Sequence, residues 1–357
     1  MRRIPLIQFG LGGVGRAVIE RVLAAQEIFA RREGMALHYV ALCDSRGAVI
    51  APDGLGAEDL RSLLAAKAAG QSLADLPLGY RQDGLEDIVD LAGVPGAIVI
   101  DVTATETTAP ALQLALQRGY SAVLANKKPL AGPFALFQAL TAGGRLRYEA
   151  TVGAGVPVIA TLRQALLAAQ DQVQRIEGCF SGTLGYLATG LQAGEPFSAL
   201  VAQAKQLGYT EPDPREDLGG MDVARKALIL ARTLGWPLEL ADVAVEPLFP
   251  PDLGAGSATD FLAALPALDA SYRQRVAAAR DQGCTLRYVA QLAGGAAAVG
   301  LRSTPLDSPL GRLQGTDNLI AFHTDIYHNT PLVLQGRGAG AHGTASGVLA
   351  DLVALVT

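Results

Sequence analysis

Short apolar runs alternate with stretches of helical period through residues 1–150. Leu6–Phe9, His38–Cys43, Ala97–Asp101 and Ser121–Ala125 have the dense apolar content of buried strands, and Leu146–Glu149 reads as a further strand. Between them, Val14–Arg32, Ala109–Arg118 and Phe134–Thr141 repeat apolar residues at helical spacing. Strands separated by helices imply right-handed βαβ units, so a doubly wound, Rossmann-like α/β fold with a parallel sheet is expected here. The rhythm changes after Glu149. Val158–Ala168, Phe197–Gln206 and Gly220–Leu234 read as helices, whereas Thr285–Gln291, Leu319–Thr324 and Pro331–Leu334 read as strands. That mixture predicts a second, α+β domain. Gly338–Val356 reads as a glycine-rich turn followed by an apolar helix that would pack back on the first domain.

Composition narrows the function classes. A chain of 357 residues fits two domains, and 50% hydrophobic with 18% charged residues fits a compact protein. The net charge is -5 and no Lys/Arg stripe is present, so nucleic acid is not an expected partner. No uncharged apolar run reaches the roughly 18–20 residues of a membrane span. Met1-Arg2-Arg3 followed by apolar residues has the start of a signal peptide, but Gln8 breaks the run and a glycine cluster follows at once. A cytoplasmic protein is expected. Cys43, Cys179 and Cys284 are far apart and form no C-x-x-C, which predicts neither a disulfide framework nor a zinc site.

Gly10, Gly12, Gly13, Val14 and Gly15 follow the first strand and open the first helix. In that context they predict a dinucleotide site: Gly10 makes the tight turn, Gly12 admits the pyrophosphate, and Gly15 lets helix meet sheet. The helix N-terminus adds N–H donors and partial positive charge. At the end of the second strand, Asp44 would accept from the ribose of NAD, whereas Arg46 would neutralise the 2′-phosphate of NADP. The two point in opposite directions and leave the choice between NAD and NADP open. Thr103, after another apolar strand, would face the same crevice. The expected division is 1–147 plus 337–357 for the dinucleotide-binding domain, and 148–336 for substrate binding and dimerisation.

Five further segments carry the chemistry. They are Ala125-Asn126-Lys127-Lys128-Pro129, the stretch Tyr148–Pro157, Phe180-Ser181-Gly182-Thr183-Leu184, the stretch Gly208–Lys226, and Gly338–Ala341 followed by Thr344, Gly347 and Asp351. In this order the chain resembles homoserine dehydrogenases over nearly its whole length, Gly208–Lys226 being the most specific part. Asp222 and Lys226 lie four apart on one helix face, which read alone favours an exposed ion pair. The resemblance implies an NAD(P)-linked interconversion of L-aspartate 4-semialdehyde and L-homoserine, in threonine and methionine biosynthesis. It also implies roles. Glu211 and Asp217 would meet the substrate ammonium, Asp222 would accept a substrate hydrogen bond and orient Lys226, and Gly182 and Thr183 would donate to substrate. Lys226 would protonate the carbonyl oxygen, with Lys127, beyond the end of a sheet strand, as the second candidate. Gly340 would touch the cofactor.

The resemblance further implies a structural sodium ion held by Glu149, Val152, Ala154 and Val156. A domain hinge that needs glycine explains the same stretch. A homodimer is expected, paired through the second domain's sheet. The chain begins at the fingerprint and ends soon after Asp351, so the kinase and regulatory modules of some family members are expected to be absent. Two rivals remain: another two-domain nicotinamide reductase, which would not keep Glu211, Asp222 and Lys226 together, and a redox-sensing, non-catalytic dinucleotide-binding protein, which would lose the lysines.

Overall fold

Strand β1 (Arg2–Phe9) is buried from Ile4 onward because it lies in the middle of a sheet covered on both faces. This sheet has seven strands in the order β4-β3-β2-β1-β5-β6-β7. Its other members are β2 (Met35–Cys43), β3 (Gly47–Ile50), β4 (Gly79–Arg81), β5 (Ile98–Asp101), β6 (Ser121–Leu124) and β7 (Leu146–Arg147). β1, β2, β5, β6 and β7 run parallel, while β3 and β4 add an antiparallel edge. The order reverses at β1, between β2 and β5, and ligands of open α/β sheets bind beyond the carboxyl ends of strands at such a point.

The structure, a computed structural model, describes residues 1–357 and divides into two compact units: Met1–Gly155 with Gly340–Thr357, and Val156–Ala339. In the first unit the helix Ala341–Val356 buries Ala345, Val348 and Leu352 in one core with Val18, Ile19 and Val22 of the helix Gly13–Arg32. Two contacts fix its approach. A Cβ at Gly347 would lie 2.4 Å from the Ala154 carbonyl oxygen, and the Asp351 carboxylate accepts the Glu149 N–H at 2.7 Å.

The second unit is built on a six-stranded sheet in the order β13-β12-β8-β10-β11-β9. Its strands are β8 (Val173–Cys179), β9 (Ala244–Val245), β10 (Cys284–Ala293), β11 (Ala296–Pro305), β12 (Asp317–Thr324) and β13 (Leu332–Arg337). β10 and β11 form a hairpin across Gly294 and Gly295, whose φ values of +58° and +81° suit a two-residue turn that side chains would strain. Two segments depart from the simple periodic reading. Pairing of the strand expected to reach Glu149 stops at Arg147, because Glu149–Thr151 coils into a single tight turn. The helix expected over 158–168 is regular only through Ala160 and then widens into a π-helix over Thr161–Leu167.

Gln8, fully buried within β1, is the polar exception in this core. Its amide donates to the carbonyls of Gly10 and Gly15, both at 3.0 Å, and accepts the Tyr39 hydroxyl at 3.0 Å. Replacing Gln8 with Ala strands that hydroxyl away from water, so we expect a loss of about 2–3 kcal/mol. Urea unfolding measures it, and an unchanged midpoint would remove Gln8 from this role.

Candidate active site

In the first unit the site is built where strands end. Gly10 takes φ +100°, and its N–H donates to the Cys43 carbonyl at 2.9 Å, which ties the turn to the end of β2. A Cβ on Gly15 would sit 2.1 Å from the Gly10 carbonyl oxygen, so no side chain fits there. Gly12 is the N-cap of the helix Gly13–Arg32, and nothing lies within 4 Å of where its Cβ would be. Gly340, at φ +104°, is the N-cap of the helix Ala341–Val356 and is equally open. A Cβ on Gly13 would stand 4.0 Å from that of Ala341, so the amino ends of two helices converge beside Val14. Two sets of uncapped N–H groups and two partial positive charges meet there, which suits a pyrophosphate. The residues therefore fit a dinucleotide.

Next to the turn, β5 ends at Asp101, which is fully buried. Its carboxylate accepts the Thr103 N–H at 3.0 Å and hydroxyl at 2.8 Å, the Thr108 hydroxyl at 2.7 Å, and the Asn126 amide at 3.0 Å. Burial pushes the Asp101 carboxyl up, and the hydrogen bonds from Thr108, Thr103 and Asn126 oppose it. Asn126 also accepts the Lys128 N–H at 3.1 Å, so this network sets the backbone on either side of Lys127. Lys127 is half-buried and caps the short helix Lys128–Ala131. Thr103, expected to face the cofactor crevice, has its hydroxyl engaged with Asp101 and Asn126. Lys128 pairs with Glu106 at 3.7 Å on the surface.

Asp44 differs from the expectation. Its carboxylate is enclosed by protein donors: Lys67 Nζ at 2.6 Å, and the N–H groups of Leu73, Gly47 and Arg46 at 2.8, 2.8 and 2.9 Å. It therefore anchors the loop that follows β2 instead of offering oxygens to a ribose. Burial opposes its charge, but Lys67 and the three backbone donors prevail and hold the carboxyl at about 2. Arg46, two residues on, is exposed.

The Glu149–Val156 stretch carries left-handed backbone at Gly153 and Ala154, with φ of +85° and +56°. The Glu149 carbonyl accepts the Val152 N–H at 3.2 Å, and that of Val156 accepts the Val158 N–H at 2.8 Å.

In the second unit, the helix Met221–Thr233 begins at Gly220, where φ is +75° and a Cβ would strike the Tyr288 hydroxyl at 2.0 Å. One turn in, Lys226 is only 9% exposed, which rules out the simple surface ion pair. Its ammonium donates to the Phe180 carbonyl at 2.6 Å and meets the Asp222 carboxylate at 2.8 Å. Phe180 leads into the helix Gly182–Ala193, capped by Ser181, whose hydroxyl accepts the Leu184 N–H at 3.2 Å. The cap is thus Ser181. Thr183 instead donates to the Tyr209 carbonyl at 2.5 Å and to Asp217 at 3.2 Å, and the other Asp217 oxygen accepts the Glu211 N–H at 2.8 Å. Burial raises the Asp217 carboxyl, with the negative charges of Glu211 and Asp222 adding to the effect. Three carboxylates near one another favour a cation between them. The structure thus gathers Thr183, Glu211, Asp217, Asp222 and Lys226, with Gly182 beside Thr183. Phe180 and Tyr209 contribute through their carbonyls. Side-chain chemistry gives no signal for such positions.

Comparison with known proteins gives two matches that meet near the same boundary in the middle of the chain. Residues 10–149 match the homoserine dehydrogenase NAD-binding domain, and residues 157–353 match the homoserine dehydrogenase domain. The chain is 43% identical over 281 residues to homoserine dehydrogenase of Paracoccidioides brasiliensis, covering 74% of this chain and 75% of that protein. It is 36% identical over 356 residues to the bifunctional aspartokinase/homoserine dehydrogenase of Haemophilus influenzae, covering 98% of this chain and 42% of that protein. The chain therefore spans about two fifths of that bifunctional relative. Among solved structures, a hyperthermophilic archaeal homoserine dehydrogenase in complex with NADPH is similar with a TM-score of 0.77 and 25% identity, covering 98% of this chain and 97% of that one.

The anchoring role of Asp44 has a pH signature. Its carboxyl is held below the ordinary aspartate range, so its stabilisation is present above that range and is lost as pH falls toward about 2. Asp44→Asn should be the less stable protein at neutral pH, and the gap to the parent should narrow between about pH 4 and about pH 2. Thermal melts of both proteins across that window test this. A gap independent of pH would exclude the Lys67-bound carboxylate as its source.

Proposed function

The chain belongs to the homoserine dehydrogenase family, and we propose that it catalyses the NAD(P)-linked interconversion of L-aspartate 4-semialdehyde and L-homoserine. The observation that carries this reading is the buried Lys226 ammonium, held by Asp222 and the Phe180 carbonyl on the unit that also gathers Glu211 and Asp217. The substrate is an amino acid with a reactive aldehyde. Glu211 and Asp217 supply the negative charge its ammonium requires, and Thr183 keeps Asp217 in place. Asp222 accepts a hydrogen bond from substrate and fixes the Lys226 direction. Lys226 donates a proton to the carbonyl oxygen as the carbonyl carbon gains a hydride. In the oxidative direction the lysine takes that proton back.

The nicotinamide, when bound, supplies or accepts the hydride. The open N-cap positions Gly12 and Gly340 take the pyrophosphate, and the Asp101–Asn126 network positions Lys127, the second candidate donor. With Asp44 committed to Lys67, the end of β2 offers exposed Arg46 to a 2′-phosphate, which favours NADP over NAD. A sodium ion on the carbonyls of Glu149, Val152, Ala154 and Val156 would be structural and take no part in either transfer. No helix is long and apolar enough to cross a membrane, and the three free cysteines suit the reducing cytoplasm.

A steady-state assay with aspartate semialdehyde and each reduced cofactor tests the reading. Lys226→Ala should lower kcat by about 10²–10³ with NADPH affinity nearly unchanged, whereas Lys127→Ala should alter both. Near-normal turnover in Lys226→Ala with none in Lys127→Ala would transfer the donor role to Lys127; activity in both would end the mechanism. Arg46→Ala should raise KM for NADPH more than for NADH, and an equal rise would dismiss Arg46 as the reader of the phosphate.

We also propose a homodimer formed through the second unit's sheet. β13 is an edge strand, and Leu332, Val333 and Leu334 leave its apolar residues only half-covered. Light scattering at micromolar concentration should give twice the chain mass. A monomer at that concentration contradicts the assembly.

A further inference from the structure

The second unit contains a cavity of about 150 Å3 that shares no residue with the lysine–carboxylate cluster. It is lined by Gln192, near the end of the helix Gly182–Ala193, by Arg280 of the helix Asp269–Asp281, by Thr285 and Leu286 of β10, and by apolar Val276 and Leu306. Three of these residues also hold a buried charge. Arg287 is only 2% exposed, and its guanidinium donates to Gln192 Oε1 at 2.7 Å, Thr285 Oγ1 at 3.1 Å and the Leu286 carbonyl at 2.8 Å. Its remaining bonds go to the carbonyls of Leu310, Gly311 and Leu313.

Every one of these partners is neutral. A buried guanidinium satisfied only by neutral acceptors has its donors used and its charge uncompensated, which low-dielectric surroundings penalise. Burial accordingly pulls the Arg287 pKa down from its ordinary value. Arg280 is also without a carboxylate partner, since its single hydrogen bond is a long one of 3.5 Å to the Gln192 carbonyl. No acidic side chain lines the cavity. Two positive charges thus bear on a space bounded by Gln192 and Thr285 on its polar part and by Val276 and Leu306 on its apolar part.

We propose that this cavity is a binding site for a small organic anion, a carboxylate bearing a short apolar chain. Arg280 meets the carboxylate, the field of Arg287 supplements it through Gln192 and Thr285, and Val276 and Leu306 cover the chain. A cavity of this volume accommodates about six heavy atoms, since an engineered apolar cavity of the same size holds benzene. The anion supplies the counter-charge that Arg287 lacks within the chain.

Cys284 lines the same cavity and is half-exposed, whereas Cys43 and Cys179 are buried. The rate at which Cys284 reacts with a thiol reagent therefore reports occupancy in the intact chain. Butyrate, with six heavy atoms, should slow that reaction saturably, while its neutral isostere butyramide and sulfate at matched ionic strength should not. Arg280→Gln should weaken the protection about tenfold, as expected for one charge-assisted bond. Leu306→Trp, which fills the space, should abolish it. Lys226→Ala should retain it, which separates this cavity from the substrate cluster. Equal protection by butyramide or sulfate, survival in both Arg280→Gln and Leu306→Trp, or loss in Lys226→Ala would each overturn the proposal.

Discussion

Much of the first unit depends on how closely one helix begins to the strand before it. The Gly10 carbonyl occupies the space where a side chain at residue 15 would stand, and only glycine permits that approach. Gln8 then holds both carbonyls from within the sheet and reaches across to Tyr39 of β2. One buried amide therefore fixes strand, turn, helix and neighbouring strand relative to each other. The open N-caps at Gly12 and Gly340 acquire their meaning from that rigidity, because donors aimed at a phosphate are useful only if they need no reordering when it arrives.

The second unit addresses a different difficulty, that of keeping a buried cation beside two half-buried acids, Asp217 and Asp222, and an exposed one, Glu211. Lys226 is satisfied by a backbone carbonyl as well as by Asp222, so its charge is only partly cancelled. Asp217 spends its oxygens on Thr183 and the Glu211 backbone, and its charge is disfavoured by burial and by its acidic neighbours. Under the proposed function, a zwitterionic substrate would relieve both tensions at once, its ammonium answering the acids and the oxygen of its reacting carbonyl answering the lysine.

How much of this could be read from sequence depended on whether the residue type limits the answer. The parallel strands were legible because runs such as Ile98–Asp101 are apolar on both faces, and the fingerprint because glycine has few other reasons to recur at that spacing. Short strands β3 and β4 left no trace, since three or four residues, nearly all buried in β3 and mostly exposed in β4, are too few to show a period. β8 was missed because its polar residues Gln174, Arg175 and Glu177 dilute the apolar signal. Gln8 was legible only as a polar break in an apolar run, and its role as the clamp inside the strand was not. Asp44 misled for the converse reason: its position at the end of β2 was right, but its partner Lys67 lies 23 residues away, beyond the reach of local pattern. The Asp222–Lys226 spacing was visible, yet spacing alone does not tell that the lysine of the pair is buried.

The return of residues 340–357 to the first unit has a bearing on synthesis. Ala345, Val348 and Leu352 complete a core whose remaining residues, Val18, Ile19 and Val22 among them, all lie within the first 150 residues of the chain. A ribosome releases all of the second unit before it releases that closing helix. The second unit can therefore finish folding first, while the nucleotide unit waits with an uncovered apolar stripe. Throughout elongation that stripe is a surface for a chaperone to shield, and a nascent chain halted just short of residue 340 would carry a sound second unit beside an open first one.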